Sequence, residues 1–270
     1  MKKVLIWIFA VVITLAASYY QRKTGPTYPL NFKTEIHSET YAFELTRSAS
    51  HGDGCMVELP TSDRISHAKV LFKKYPGNFE FDTIIMVEKD DQWIASLPIQ
   101  PAAGKLQYYV LIYDESDVLF STEEIPAIVR FKGDVPVWAL IPHVLAMFFA
   151  MLLSAVALLM AIFNVGNIKR IAIWTFSALA IGGFIFGPIV QYFAFGQAWT
   201  GFPVGYDLTD NKTLIAGVFW LAAMLLNLKQ TRRWIIILSG IVLLGIFTIP
   251  HSVRGSEYNY EAETIETGNK

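Results

Sequence analysis

Residues 144–163, VLAMFFAMLLSAVALLMAIF, carry no charge and a single hydroxyl, Ser154. About twenty residues wound as an α-helix rise about 30 Å, the thickness of a bilayer's hydrocarbon core. So long a run without an ionisable group reads as a membrane span, and the rest of the chain is read outward from it. Downstream, residues 171–195, 213–228 and 234–249 repeat the pattern. The first of these contains Gly182-Gly183, which permit close helix contact, and Gly187-Pro188, which should kink the helix near its far end. Upstream, the uncharged residues 4–20 follow Lys2 and Lys3, as in a membrane anchor or a signal-peptide core with Ala16-Ala17-Ser18 as a small-residue cleavage site. The expectation is a membrane α-helical bundle of four or five transmembrane helices.

Between the first apolar run and the rest the texture changes. From residue 26 to residue 134 apolar and polar residues alternate and turn residues interrupt them. Ala68, Val70 and Phe72 alternate with Lys69, Leu71 and Lys73; Tyr75-Pro76-Gly77-Asn78 then makes a turn, and 79–87 resumes a strand pattern. Residues 41–47, 56–59, 92–98, 106–113 and 125–131 read the same way. Six or seven short strands with turns every eight to twelve residues suggest an inserted all-β sandwich of immunoglobulin-like or fibronectin-like architecture, which by itself specifies no chemistry. The organisation is therefore an anchor or signal over 1–25, a β-sandwich over 26–134, a helical domain over 135–250 and a polar tail over 251–270, the last ten residues reading as disordered.

Charge orients the chain. With the N-terminus inside, the short inner segments hold Lys2, Lys3, Lys169, Arg170, Lys229, Arg232 and Arg233 and no acidic residue. All 23 acidic residues then fall outside against 15 of the 22 basic ones, a net of −8. This puts the sandwich, the connection 196–212 and the tail on one extracytoplasmic face of a multi-pass protein, periplasmic if the membrane is a bacterial inner membrane. A chain near neutrality without a basic face gives no sign of a nucleic-acid partner. One cysteine, Cys55, makes an intramolecular disulfide impossible.

The connection 196–212, GQAWTGFPVGYDLTDNK, is the candidate site. It is longer than two adjacent antiparallel helices need, so it is expected to serve as a lid or ligand shelf close to the sandwich. Trp199, Phe202 and Tyr206 are residue types of the interfacial aromatic belt, and Thr209 or Asp210 is the natural N-cap of the next helix, which leaves Asp207 unexplained. Gln191, near the outer end of its span, is expected to hydrogen-bond a neighbouring helix or a ligand. In the tail, Arg254 could pair with Asp207 or Asp210 or clamp an anion, with Glu257 close behind and Gly255 turning the tail back to the connection. Ile141-Pro142-His143 and Ile249-Pro250-His251 set two histidines at similar depth on the same face, where opposed imidazoles would suit haem b or a metal ion. The simpler account is that both prolines punctuate helix ends.

His51-Gly52-Asp53-Gly54-Cys55 holds a thiol, an imidazole and a carboxylate but lacks the second ligand pair of a structural metal site, and reads as a turn. His37 and His67 stand alone. No nucleophile–His–acid set, phosphate-cradling Gly loop or CxxC pair points to catalysis. The favoured expectation is a membrane protein acting by binding, an accessory or scaffold subunit of a cell-envelope complex. It would need no cofactor, and its partners would be the lipid bilayer and other membrane or envelope proteins. Its binding residues would be drawn from Gln191, Trp199, Asp207, Asp210, Arg254 and Glu257. The alternative is a haem- or metal-binding redox protein using His143 and His251. A transporter component ranks third, because the spans lack ionisable residues at depth.

Overall fold

The computed structural model describes residues 2–36, 39–251, 253 and 255–267. The chain forms a mixed helix and β-sheet fold in two compact units. One comprises Met1–Pro26, Val135–Ser256 and Thr267–Lys270, the other Thr27–Asp134 and Glu257–Glu266.

The helical unit contains α1 (Lys2–Lys23), α2 (Val137–Phe163), α3 (Ile168–Leu179), a π-helical segment (Ala180–Phe186), α4 (Gly187–Phe195), α5 (Leu208–Asn227) and α6 (Arg233–Thr248). The π segment joins α3 and α4 into one helix, Ile168–Phe195. Three helices, Lys2–Lys23, Val137–Phe163 and Ile168–Phe195, are long and apolar enough to cross a membrane. Of the four or five spans expected, these three meet the length and composition of a membrane span. Helix α6 is apolar but only 16 residues long, and α5 opens with Asp210 and Lys212 in its first turns.

Helix α2 is the centre of this unit and packs against α1, α3 and α6. Its buried face is made largely of alanine, with Ala150, Ala155, Ala157 and Ala161 nearly inaccessible, so its neighbours approach closely. A Cβ added at Gly182 would lie 2.9 Å from the Ala146 Cβ and 2.9 Å from the Met147 Sδ, which makes this glycine a contact point between the third helix and α2. The expected kink at Pro188 takes the form of the π segment. Proline has no N–H for the carbonyl four residues back, and Gly187 instead donates five residues back to the Gly182 carbonyl. Pro142 lies inside α2 rather than at its end, whereas Pro250 does follow the end of α6.

The β unit is built from β1 (Leu30–Ile36), β2 (Glu39–Leu45), β3 (Ser48–Ser50), β4 (Cys55–Pro60), β5 (His67–Tyr75), β6 (Asp82–Ile85), β7 (Val87–Lys89), β8 (Gln92–Leu97), β9 (Lys105–Asp114), β10 (Asp117–Ser121) and β11 (Ala127–Lys132). One sheet runs β3-β11-β9-β5-β6, with β10 also on β9; a second runs β4-β8-β7; β1 and β2 form a hairpin. Pairing is antiparallel except between β3 and β11. Alternate residues of both sheets and of the hairpin feed a single core, including Leu45, Leu59, Val70, Leu97, Tyr108 and Phe131, as the period-2 pattern requires.

Two expectations change here. The strand read over 79–87 is divided between β6 and β7, which belong to different sheets, and its first residues are not strand. Within the last ten residues, read as disordered, Thr264–Glu266 form β13, which pairs with β12 (Glu257–Asn259) in a hairpin that belongs to the β unit.

Candidate functional site

The connection between α4 and α5 is an ordered, self-clamped loop. Gly196 adopts a left-handed conformation, φ 75°, and ends α4 with its N–H on the Tyr192 carbonyl. Inside the loop, one carboxylate oxygen of Asp210 gathers three donors: the Thr200 N–H at 2.6 Å, the Thr200 hydroxyl at 3.0 Å and the Gly201 N–H at 3.1 Å. The Phe202 N–H donates to Asn211 Oδ1 at 2.7 Å. Gly201 is required by this closure, since a Cβ there would come within 2.6 Å of the Asp210 Cβ.

The capping role falls on the aspartate that the sequence left unexplained. Asp207, not Thr209 or Asp210, is the N-cap of α5, with Oδ1 accepting from the Thr209 N–H at 2.7 Å. Its other oxygen accepts from the Ser256 N–H at 3.2 Å, so the chain beyond Gly255 does return to the connection. Asp210 lies in the first turn of the helix and holds the loop instead of capping. Lys212 completes the arrangement, with Nζ donating to the carbonyls of Ile249 at 2.8 Å and Pro250 at 3.3 Å, which ties α5 to the exit of α6. Asp207, Asp210 and Lys212 are 6%, 6% and 4% exposed, and each has hydrogen-bond partners.

Gln191 donates to the Thr200 hydroxyl at 2.6 Å and also hydrogen-bonds the Asp210 side chain, so its partners are the loop and, as expected, a neighbouring helix, α5. Trp199 stacks on Phe184 at a centroid distance of 6.1 Å, and its indole N–H donates to the Phe202 carbonyl. Above this framework the tip is bare: Phe202, Val204 and Tyr206 are 65%, 71% and 67% exposed. Sequence reasoning missed three parts of this site, namely Thr200, Asn211 and the clamping role of Lys212.

The remaining candidates are dispersed. Glu257 lies in β12 of the β unit and forms an ion pair with Lys105. Arg254 falls outside the described residues, as does His37. His143 Nδ1 donates to the Gly182 carbonyl at 2.9 Å, the carbonyl that the π segment turns out of the regular ladder. His251 stands within electrostatic range of His143 and Lys212. Among the described residues no group of three or more His, Cys, Asp or Glu is placed to hold a metal ion. His51 bonds the Gln100 carbonyl, while Cys55 turns into the β core, where burial pushes its thiol up to about 12. His67 stacks on Tyr113.

No protein-family model, no curated protein and no solved structure matches the chain.

Proposed function

We propose that this is an integral membrane protein of the bacterial cell envelope that acts by binding, as an accessory or scaffold subunit, with an immunoglobulin-like sandwich and the loop 196–207 on the extracytoplasmic face. The observation that carries the reading is the contrast within that loop. Buried Asp207 and Asp210 fix its backbone, while Phe202, Val204 and Tyr206 stand exposed at its tip. A surface that is preorganised and apolar loses little conformational entropy on meeting a partner, and aromatic anchors of this kind dominate binding energy. The orientation is supported by the charge asymmetry, and the sandwich by two sheets of mainly antiparallel strands around one core with a parallel β3–β11 pair.

The test is affinity capture from gently solubilised membranes followed by comparison with a Phe202→Ser, Val204→Ser, Tyr206→Ser variant. The reading expects a protein that copurifies stoichiometrically with the native chain and is lost with the variant, whose thermal unfolding is unchanged. Equal capture by both chains would overturn it. A second reading, a haem- or metal-binding redox protein, is supported by the proximity of His251 to His143 and by the carbonyl that orients the His143 ring, as outer partners orient metal-ligating imidazoles. An absorption spectrum and metal analysis of the purified protein decide it.

A further inference from the structure

We propose that the cavity at the opposite end of the helical unit, between the α2–α3 and α5–α6 connections, binds a phosphate-bearing anion. It measures about 290 Å³ and is lined by Asn167, Lys169, Thr231 and Arg233 together with apolar Met160 and Val165. The sequence reading used these cations only to orient the chain. The lining offers hydrogen-bond donors in excess of acceptors. Segments 164–170 and 228–233 contain no aspartate or glutamate, and neither Lys169 nor Arg233 has a carboxylate partner among the described residues.

The donors are also held in place, which separates this cavity from a scatter of surface charge. Lys169 Nζ spends one bond on the Lys229 carbonyl at 3.1 Å, across the two connections, and keeps two N–H groups for a ligand. Asn167 turns its oxygen to the Arg170 N–H, leaving its amide N–H groups free to donate. The α5–α6 turn is fixed by Asn227, which donates to the Ala223 and Arg232 carbonyls and accepts from the Arg232 N–H at 2.7 Å. Arg233 opens α6, whose first turn has no side-chain cap, so the backbone there adds donors beside the guanidinium. A tetrahedral oxyanion with several acceptor oxygens matches this set, with Arg supplying paired donors and Lys a point charge. The apolar side chains beside it suit the glycerol and first methylenes of a phospholipid, and a free phosphate satisfies the same donors. The phospholipid source rests on the membrane reading of this unit; the site itself is independent of the loop tip and of the partner proposed above.

The experiment uses the full chain in nanodiscs of phosphatidylcholine with a minority of phosphatidylglycerol. Lipid retention is read by native mass spectrometry, and thermal stability is followed during titration with inorganic phosphate against chloride at equal ionic strength. Selective retention of phosphatidylglycerol that phosphate does not displace supports the lipid headgroup as source. A phosphate-dependent rise in Tm that displaces the lipid supports the free anion. In either case Lys169→Gln with Arg233→Gln weakens binding about tenfold, while Arg170→Gln, an exposed cation outside the cavity, leaves it unchanged. The proposal is overturned if the native chain shows neither selective retention nor a phosphate effect, or if R170Q weakens binding as much as the double variant. Because the first criterion is read on the native chain, a double variant that fails to fold does not shield the proposal.

Discussion

At the scale of the residue, Asp207 and Asp210 stand three positions apart and do different work. Asp207 caps a helix, a role worth about 1 kcal/mol when the side chain is removed. Asp210 satisfies three loop donors from a buried position, and its removal leaves them without partners. Asp210→Ala is therefore expected to destabilise the helical unit by about 3 kcal/mol, against about 1 kcal/mol for Asp207→Ala. Thermal unfolding in detergent ranks the two, and hydrogen exchange should rise at Thr200, Gly201 and Phe202 in the first variant. Cys55 illustrates the opposite case, a reactive group made inert. Its thiol is 2% exposed and pushed up to about 12 by burial, so a maleimide reagent at neutral pH is expected to leave the native protein unmodified and to label it once unfolded.

At the scale of the element, two packings invite tests. The third helix meets α2 at Gly182, and a larger side chain has no room there. Gly182→Leu is expected to separate the two helices or cost at least about 2 kcal/mol, seen as a lower unfolding temperature in detergent. The C-terminal hairpin depends on Tyr260, whose hydroxyl accepts from the Lys105 N–H at 3.0 Å and donates to the Lys105 carbonyl at 2.9 Å. Burial pushes this phenol up to about 12, from an ordinary value near 10. Because the folded value is the higher one, the contribution of the neutral phenol is complete below about pH 10 and is lost as pH rises through about 12. Exchange of the Lys105 amide should accelerate over that window, and in Tyr260→Phe it should be fast at every pH.

At the scale of the whole molecule, the charge asymmetry makes a claim about sides of a membrane. The only native cysteine is buried, so single cysteines can report on topology without removing it. Val204→Cys, on the exposed loop tip, is expected to react with an impermeant maleimide applied to the extracytoplasmic side. Lys229→Cys should react only after the membrane is opened. Labelling in the reverse order would invert the topology and, with it, the face assigned to the loop.

The sequence by itself determined the division into apolar helices and an alternating β-rich insert, because hydrophobic periodicity and uninterrupted apolar length are local properties that a chain carries whatever it packs against. It also determined the composition of the loop, including its glycines, its aromatics and its carboxylates. Tertiary structure alone decided which aspartate caps and which clamps, since both are acceptable N-caps and only the position of the Thr200 and Gly201 amides distinguishes them. It alone decided that residues 79–87 serve two sheets, that the polar tail pairs as a hairpin, and that Lys169 and Arg233, 64 positions apart, line one cavity. In each case the deciding partner is distant in sequence, and a buried polar group or an unpaired strand takes its role from whichever donor or edge the fold brings to it.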